Sequence, residues 1–240
     1  VPYALTKLSL VTIPPITGVA GRVAIAAALL WAVAIALGRT IPRDLSFAKD
    51  ALVQGCLACA IPYTLIAFGQ QHVDSALTAI LNSTTPLFVC VLSLTWIRHE
   101  AVSAARLTGV VIGFSGVVMI VGMGALAGLG HEGAGQAATM LATVSSAFSV
   151  IYGRRFAKIA PEVTAAAMLT CAAVVLLPLC AILESPWRAA PSLLSLAALL
   201  ANAVIATALG FVVYFRLIRT IGSIGTASAG YLKPAVGVLI

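Results

Sequence analysis

The chain has 240 residues, of which 61% are hydrophobic and 9% are charged, with a mean hydropathy of +1.10 and a formal net charge of +7. Soluble domains are nearer half apolar and a quarter charged, so this composition excludes a water-soluble globular fold and indicates a polytopic membrane protein. The basic residues are scattered over short loops, which argues against a nucleic-acid-binding surface.

Nine apolar segments follow one another along the chain, separated by short stretches rich in Pro, Gly and charge. We predict helices, because membrane strands would be shorter and would alternate in polarity. The predicted segments are the tail of a first helix at 1–10, then 15–38, 48–69, 72–96, 103–124, 133–153, 162–184, 191–216 and 221–240. The chain starts without Met and stops inside an apolar run, so we expect a fragment cut within a helix at both ends.

Basic residues are distributed unevenly between alternate loops. Ten of the 14 Lys and Arg lie in one set of loops, namely Arg39, Arg43, Lys49, Arg98, Arg106, Arg154, Arg155, Lys158, Arg216 and Arg219. The opposite set carries only Arg188. Cytoplasmic loops are enriched in Lys and Arg, so the first set is predicted to face the cytoplasm.

A weak internal repeat relates residues 63–92 to residues 211–240 at a shift of 148 without a gap. Ser75, Thr78, Ala79 and Pro86 then face the identical residue types Ser223, Thr226, Ala227 and Pro234. Five helices separate the two copies, and an odd number places them in opposite orientations. This is the inverted-repeat plan of secondary transporters, and it predicts repeats at 1–128 and 129–240.

The stretch "LNSTTPLFVC" places several polar side chains inside the fourth apolar segment. In a continuous helix, the polar residues Ser75, Thr78, Asn82 and Thr85 fall within an arc of roughly 80°. Their counterparts in the ninth segment are Ser223, Thr226, Gly230 and Lys233. Substrate sites of inverted-repeat carriers lie near the midplane at the repeat interface, so the two stripes are predicted to line a pathway.

Each of these polar residues has a structural alternative. Ser and Thr in membrane helices often donate to their own backbone carbonyls, which we favour for any single hydroxyl here. For Asn82, a hydrogen bond to another helix and a position lining a cavity are equally favoured. Lys233 lies roughly ten residues into its helix, where a charge is expensive and by default functional. Lys7 and Arg22 lie nearer a membrane face, where snorkelling is favoured.

Other motifs are interpreted structurally. The Cys56-x-x-Cys59 pair lies in an apolar helix, and His72, His99 and His131 lack metal-ligand spacing, so no metal or cofactor is predicted. Gly109-x-x-x-Gly113 favours close helix packing, with a homodimer contact as the alternative. A mid-membrane carboxylate for proton coupling is absent from the sequence, since Asp74 and Glu184 lie near the outer face.

The chain resembles the EamA-type carriers of the drug/metabolite transporter superfamily. The stretches that carry the resemblance are "LTAILNSTTPLFVCVLSL", "RLTGVVIGFSGVVMIVG", "ITGVAGRVAIAAALL" and "GTASAGYLKPAVGVLI". The resemblance implies ten helices in two inverted five-helix repeats, with most of helix one and all of helix ten missing here. Members usually carry Gly-Glu after the fourth helix, where this chain has Arg98-His99-Glu100. Basic residues of late helices bind anionic groups in related carriers, so by analogy Lys233 is an anion contact.

The predicted function is a secondary transporter that moves an amino acid or related small metabolite across the bacterial inner membrane by alternating access. Its predicted partners are that substrate, the lipid bilayer and a coupling ion. Predicted pathway residues are Lys233, Asn82, Thr85, Thr78, Thr226, Tyr231, Tyr63 and Arg22, with helix kinks at Pro86 and Pro234. A structural or assembly protein is the alternative. A membrane-embedded enzyme is disfavoured, because converging acids, His and nucleophiles are missing from the spans.

Overall fold

The computed structural model describes most of the chain, and the described residues form helices and no strand. They are residues 8–9, 11–69, 73–95, 103–121, 124, 126, 129–130, 132–188 and 190–232. Most of the predicted tail at 1–10, together with Lys233 and Pro234, lies outside this part of the chain. The predicted all-α class is confirmed.

The helices follow the predicted apolar segments closely. They are α1 (Pro15–Ala36), α2 (Leu45–Gly69), α3 (Ser75–Asn82), α4 (Thr85–Thr95), α5 (Ala104–Val121), α6 (Gly133–Tyr152), α7 (Pro161–Leu183), α8 (Leu193–Ala201) and α9 (Gly210–Ser228). Helix α2 contains a π-helical segment at Cys56–Ala60, and a second π-helical segment, Asn202–Leu209, joins α8 to α9.

Seven described stretches are long and apolar enough to cross a membrane, which confirms the polytopic interpretation. The last of them, Leu193–Tyr231, has 39 residues and would be about 58 Å long as one helix, roughly twice the hydrocarbon thickness. Gly222 interrupts it with φ 78° and ψ −175°, a conformation essentially restricted to glycine. The sequence placed this boundary at 217–220, which is wrong, because the chain stays helical up to Gly222.

The interruption of the fourth span also differs from the prediction. We expected one helix over 72–96 that bends at Pro86, but the helix stops at Asn82 and restarts at Thr85 after a turn. The arc calculated for Thr85 assumed an unbroken helix and therefore does not hold.

Several structural features recur 148 residues apart. Asp44 caps α2 by accepting from the Phe47 amide at 3.0 Å, and Ser192 caps α8 by accepting from the Ser195 amide at 3.1 Å. The π-helical segment Cys56–Ala60 corresponds at that shift to residues inside the second π-helical segment. The start of α3 at Ser75 corresponds to the residue after the interruption at Gly222.

The chain divides into two compact units. The first unit takes residues 1–60 and 155–216, and the second takes residues 61–154 and 217–240. These units interleave along the sequence, and the division into repeats at 1–128 and 129–240 stays a prediction.

In the first unit, α1 and α7 form an antiparallel pair that buries many alanines. The fully buried ones are Ala20, Ala26, Ala34, Ala165, Ala166 and Ala172. Small side chains let helix backbones approach closely, which is the main source of helix association in lipid. Helix α2 packs against α7 as closely, since a Cβ on Gly55 would lie 2.5 Å from the Met168 carbonyl oxygen.

Polar contacts fasten the α1–α7 pair at both ends and in the middle. The Glu184 carboxylate accepts from the Ile16 amide at 2.8 Å, the Thr17 amide at 2.7 Å and the Thr17 hydroxyl at 2.8 Å. The negative charge at the start of α1 also suits its helix dipole. The Trp31 indole donates to the Thr170 hydroxyl at 2.9 Å.

At the opposite end of this pair, Arg39 lies 3.6 Å from Glu162. The arginine side chain is 45% exposed, so this ion pair adds little stability.

In the second unit, α6 packs against α3, α4 and the Ile61–Gly69 part of α2. Gly69 makes one of these contacts, since a Cβ there would lie 2.6 Å from the Thr139 hydroxyl oxygen and 3.0 Å from the Gly135 carbonyl oxygen. Helix α5 packs against α3, α4 and the 3₁₀ turn Ala229–Tyr231. Of the predicted pathway residues that the structure describes, all except Arg22 belong to the second unit.

Candidate functional site

The turn between α3 and α4 explains most of the hydroxyls in "LNSTTPLFVC". Pro86 has no N–H to donate to the carbonyl of Asn82, four residues earlier. The Thr85 hydroxyl donates to that carbonyl instead, at 2.7 Å. Thr85 thus replaces the hydrogen bond that Pro86 removes, as buried backbone carbonyls require a partner in the membrane.

The two preceding hydroxyls act in the same way. Ser83 donates to the Ala79 carbonyl at 2.7 Å, and Thr84 donates to the Leu81 carbonyl at 2.6 Å. The Thr143 hydroxyl of α6 also approaches the Leu81 carbonyl, at 3.4 Å, while it donates to Thr139 at 2.8 Å. For Ser83, Thr84 and Thr85 the structural alternative of bonding to the backbone is confirmed.

Thr226 also donates to its own backbone, beside the second interruption. Its hydroxyl donates to the Gly222 carbonyl at 2.6 Å, within the turn that follows the positive-φ glycine. Two of the predicted pathway hydroxyls, Thr85 and Thr226, therefore satisfy backbone groups at helix interruptions.

Two predicted hydroxyls remain without such a bond. Thr78 is 3% exposed, and its hydroxyl oxygen has no hydrogen-bond partner among the described residues. The Tyr231 hydroxyl is buried and equally lacks a partner within that part of the chain. We call Thr78 and Tyr231 the unpaired hydroxyls. A buried hydroxyl without a partner costs about 1–3 kcal/mol, so each is suited to bind a group that enters later.

Asn82 lies one helical turn after Thr78, on the same face of α3. It is half-buried, and its amide offers both donors and an acceptor. Thr78 and Asn82 therefore present neutral hydrogen-bonding groups on one side of a helix that ends at the turn.

Tyr231 is held by a residue that the sequence analysis did not assign to the site. Its ring lies on Gly113 of α5, where a Cβ would be 2.5 Å from ring atom Cδ2 and 2.7 Å from Cε2. The available signal was the Gly109-x-x-x-Gly113 motif, which predicts close packing without naming the partner. Packing is confirmed at Gly113, whereas a Cβ at Gly109 would meet nothing within 4 Å in the described structure.

The remaining predicted residues are less informative. Tyr63 is half-buried in the part of α2 that belongs to the second unit. Arg22 is half-buried in α1 of the first unit. Lys233 and Pro234 lie outside the described residues, so their assignments stay predictions.

Sequence analysis also passed over two buried amides in the first unit. Gln54 is 0% exposed and Asn202 is 1% exposed, and they lie 148 residues apart. Gln54 lies two residues before the π-helical segment in α2, and Asn202 begins the one after α8. The shift that revealed the repeat could have identified this pair as well.

The chemistry available at the site is neutral hydrogen bonding. No cluster of three or more His, Cys, Asp or Glu residues suited to a metal ion occurs in the described ranges. The second unit offers the unpaired hydroxyls and the Asn82 amide, whose chemistry is hydrogen bonding without proton or electron transfer.

Comparisons with known proteins agree on the family. The model of the EamA-like transporter family matches residues 2–122 and 133–240. The chain is 26% identical over 241 residues to the uncharacterized inner membrane transporter YedA of Escherichia coli K12, covering 99% of this chain and 76% of that protein.

An uncharacterized transporter of Archaeoglobus fulgidus is 29% identical over 119 residues, which is 49% of this chain and 41% of that protein. One protein of known crystal structure has the same fold, with a TM-score of 0.78 and 21% identity over 99% of this chain and 81% of that chain.

Proposed function

Because this chain belongs to the EamA-like transporter family and is a multi-pass membrane transporter, we propose that it moves a small polar metabolite by alternating access. The substrate class is an amino acid or a related organic compound, and the membrane is the bacterial inner membrane. The name of the Escherichia coli relative, an inner membrane transporter, supports that location.

The pair of unpaired hydroxyls is the observation that carries this proposal. Among the hydroxyls around the interruptions, Thr85 and Thr226 already have backbone partners, whereas Thr78 and Tyr231 have none in the described structure. A polar substrate would supply the missing hydrogen bonds and would leave them unmade again on release. The unpaired hydroxyls favour reversible binding, because the substrate does not have to displace a protein partner from them.

Lys233 is proposed to bind an anionic group of the substrate. It follows Tyr231 by two residues in the sequence, and at the 148-residue shift it corresponds to Thr85. An ammonium in the apolar part of a membrane is costly unless it faces a cavity or a partner. A carboxylate on an amino acid is such a partner.

Alternating access is supported by the recurrence of distortions at the same shift. The two π-helical segments and the two capped helix starts each occur once in residues 44–60 and once in residues 192–209, and the start of α3 at Ser75 corresponds to the residue after Gly222. π-Helical segments often mark functional bends, because their backbone bonds can rearrange without loss of the helix. Matched distortions allow the two repeats to exchange conformations.

The experiment is transport into vesicles that contain the purified full-length protein. We expect uptake of a ¹⁴C-labelled equimolar amino acid mixture, and we expect Lys233→Gln to reduce it severely at unchanged membrane insertion. Lys49→Gln is the matched control, since Lys49 is exposed on the first turns of α2. Absence of uptake by the unmodified protein would refute the amino acid assignment.

A further inference from the structure

The contact between Gly113 and Tyr231 is closer than any other residue type would allow. A Cβ at position 113 would lie 2.5 Å from one ring carbon of Tyr231, 2.7 Å from a second and 3.3 Å from a third. Non-bonded carbon atoms do not approach within 3.0 Å of each other. An aromatic ring packed on a helix backbone cannot relieve such a contact as the far end of a flexible side chain can. Glycine at this position therefore determines where the ring lies.

The neighbouring glycines of α5 do not share this property. A Cβ at Gly109 or at Gly116 would meet nothing within 4 Å among the described residues. If α5 packed closely against its neighbours along its whole length, a Cβ at each of these glycines would meet a nearby atom. The requirement for glycine is thus specific to the Tyr231 ring.

The position of the ring fixes the position of its hydroxyl. A phenol oxygen lies at a fixed distance from the ring, so a ring displaced by a Cβ moves the oxygen with it. The hydroxyl oxygen is buried and has no hydrogen-bond partner in the described part of the chain.

We propose that Gly113 is a positioning residue that seats Tyr231 so that its hydroxyl hydrogen-bonds the transported molecule. This inference rests on the proposed function and extends it with a determinant of substrate affinity. Gly113 itself does not contact the substrate; it acts through the position of the Tyr231 hydroxyl. The contact contributes one hydrogen bond, and hence affinity, and leaves the conformational cycle unchanged.

The test measures uptake of the ¹⁴C-labelled amino acid mixture by vesicles containing the full-length protein. We expect Gly113→Ala to raise the half-saturation concentration about three- to tenfold, the effect of one lost hydrogen bond. The maximal rate should stay within about twofold, because only binding is affected. Gly116→Ala, the same substitution one turn further along α5, should leave both quantities unchanged.

Tyr231→Phe separates positioning from packing, since it keeps the ring and removes only the hydroxyl. It should raise the half-saturation concentration by the same factor, and adding Gly113→Ala to it should change nothing further. Undiminished sensitivity to Gly113→Ala in the Tyr231→Phe protein would overturn the proposal, because Gly113 would then act through packing alone.

An unchanged half-saturation concentration in Tyr231→Phe would overturn the proposal as well, and this variant decides the matter if Gly113→Ala does not fold. Failure of the unmodified protein to take up the mixture would instead remove the proposed function on which the inference rests.

Discussion

In the α1–α7 pair, two unbroken helices of 22 and 23 residues lie against each other, whereas the fourth span stops after the eight residues of α3 and restarts as α4. Both regions contain polar side chains within apolar sequence. In the pair, the polar groups of Trp31, Thr170 and Glu184 join one helix to the other. In the interrupted span, the hydroxyls of Ser83, Thr84 and Thr85 join the backbone to itself.

The difference shows how to identify binding groups in a membrane helix. A polar side chain that fastens two helices, or that replaces a missing backbone bond, already has its partner. Thr78 and Tyr231 belong to neither class in the described structure, and both lie in the unit that contains the interrupted span. The fastened helices stabilise the first unit, and we propose that the unit with the interrupted span provides groups for a ligand.

The largest effect on stability is expected for a substitution at the close contact between α2 and α7. Gly55→Ala would place a Cβ 2.5 Å from the Met168 carbonyl oxygen, so α2 and α7 must separate. Overpacking of this kind typically costs about 1–3 kcal/mol, and we expect a clear fall in the melting temperature of the purified protein. Gly109→Ala, which meets nothing within 4 Å in the described structure, is the control. Equal melting temperatures for the two variants would contradict close packing of α2 on α7.

A smaller loss is expected at the end of the same pair. Glu184→Gln keeps the size of the side chain but replaces a carboxylate that accepts three hydrogen bonds at 2.7–2.8 Å from Ile16 and Thr17. Bonds to a charged group are stronger than neutral ones, so we expect about 1–2 kcal/mol of destabilisation. Thermal unfolding in detergent measures it, with transport kinetics unaffected below the melting temperature. A changed half-saturation concentration with unchanged stability would place Glu184 in the pathway instead.

The buried amides provide a test of the symmetry between the repeats. Gln54→Leu and Asn202→Leu remove polar groups of similar burial at positions 148 residues apart. We expect the two variants to reduce the maximal transport rate by similar factors, since the π-helical segments act as a matched pair. Loss of transport in only one of them would argue that the segments are unrelated distortions.

The sequence predicted the spans well, because a span is recognised by the length of its apolar stretch. Pro15–Ala36 and Pro161–Leu183 are examples. The sequence did not predict the stop at Asn82, because Pro86 indicates a bend but does not show at which residue the helix ends. The sequence analysis placed the next interruption at 217–220, which is too early. Only the backbone conformation of Gly222 shows where the helix breaks.

For the site, periodicity placed Thr78, Asn82 and Thr85 on one stripe, and the internal repeat placed Thr226 on a second stripe. Periodicity cannot tell which hydroxyls donate to backbone carbonyls, so Thr85 and Thr226 were ranked equally with Thr78. The contact of Gly113 with Tyr231 could not be predicted from the sequence, because the two residues lie 118 positions apart in the chain. The Gly109-x-x-x-Gly113 motif predicts close packing, but the partner of such a contact depends on the tertiary structure.

A paired measurement on Thr85→Val and Thr78→Val tests the central distinction most directly, because valine keeps the shape of threonine and removes only the hydroxyl. Thr85→Val leaves the Asn82 carbonyl without its donor, so we expect about 1 kcal/mol of lost stability and an unchanged half-saturation concentration for uptake. Thr78→Val removes a buried hydroxyl that has no partner in the described structure, so we expect equal or higher stability and a raised half-saturation concentration. The opposite pattern, with Thr78→Val destabilised and Thr85→Val impaired in substrate binding, would contradict the account.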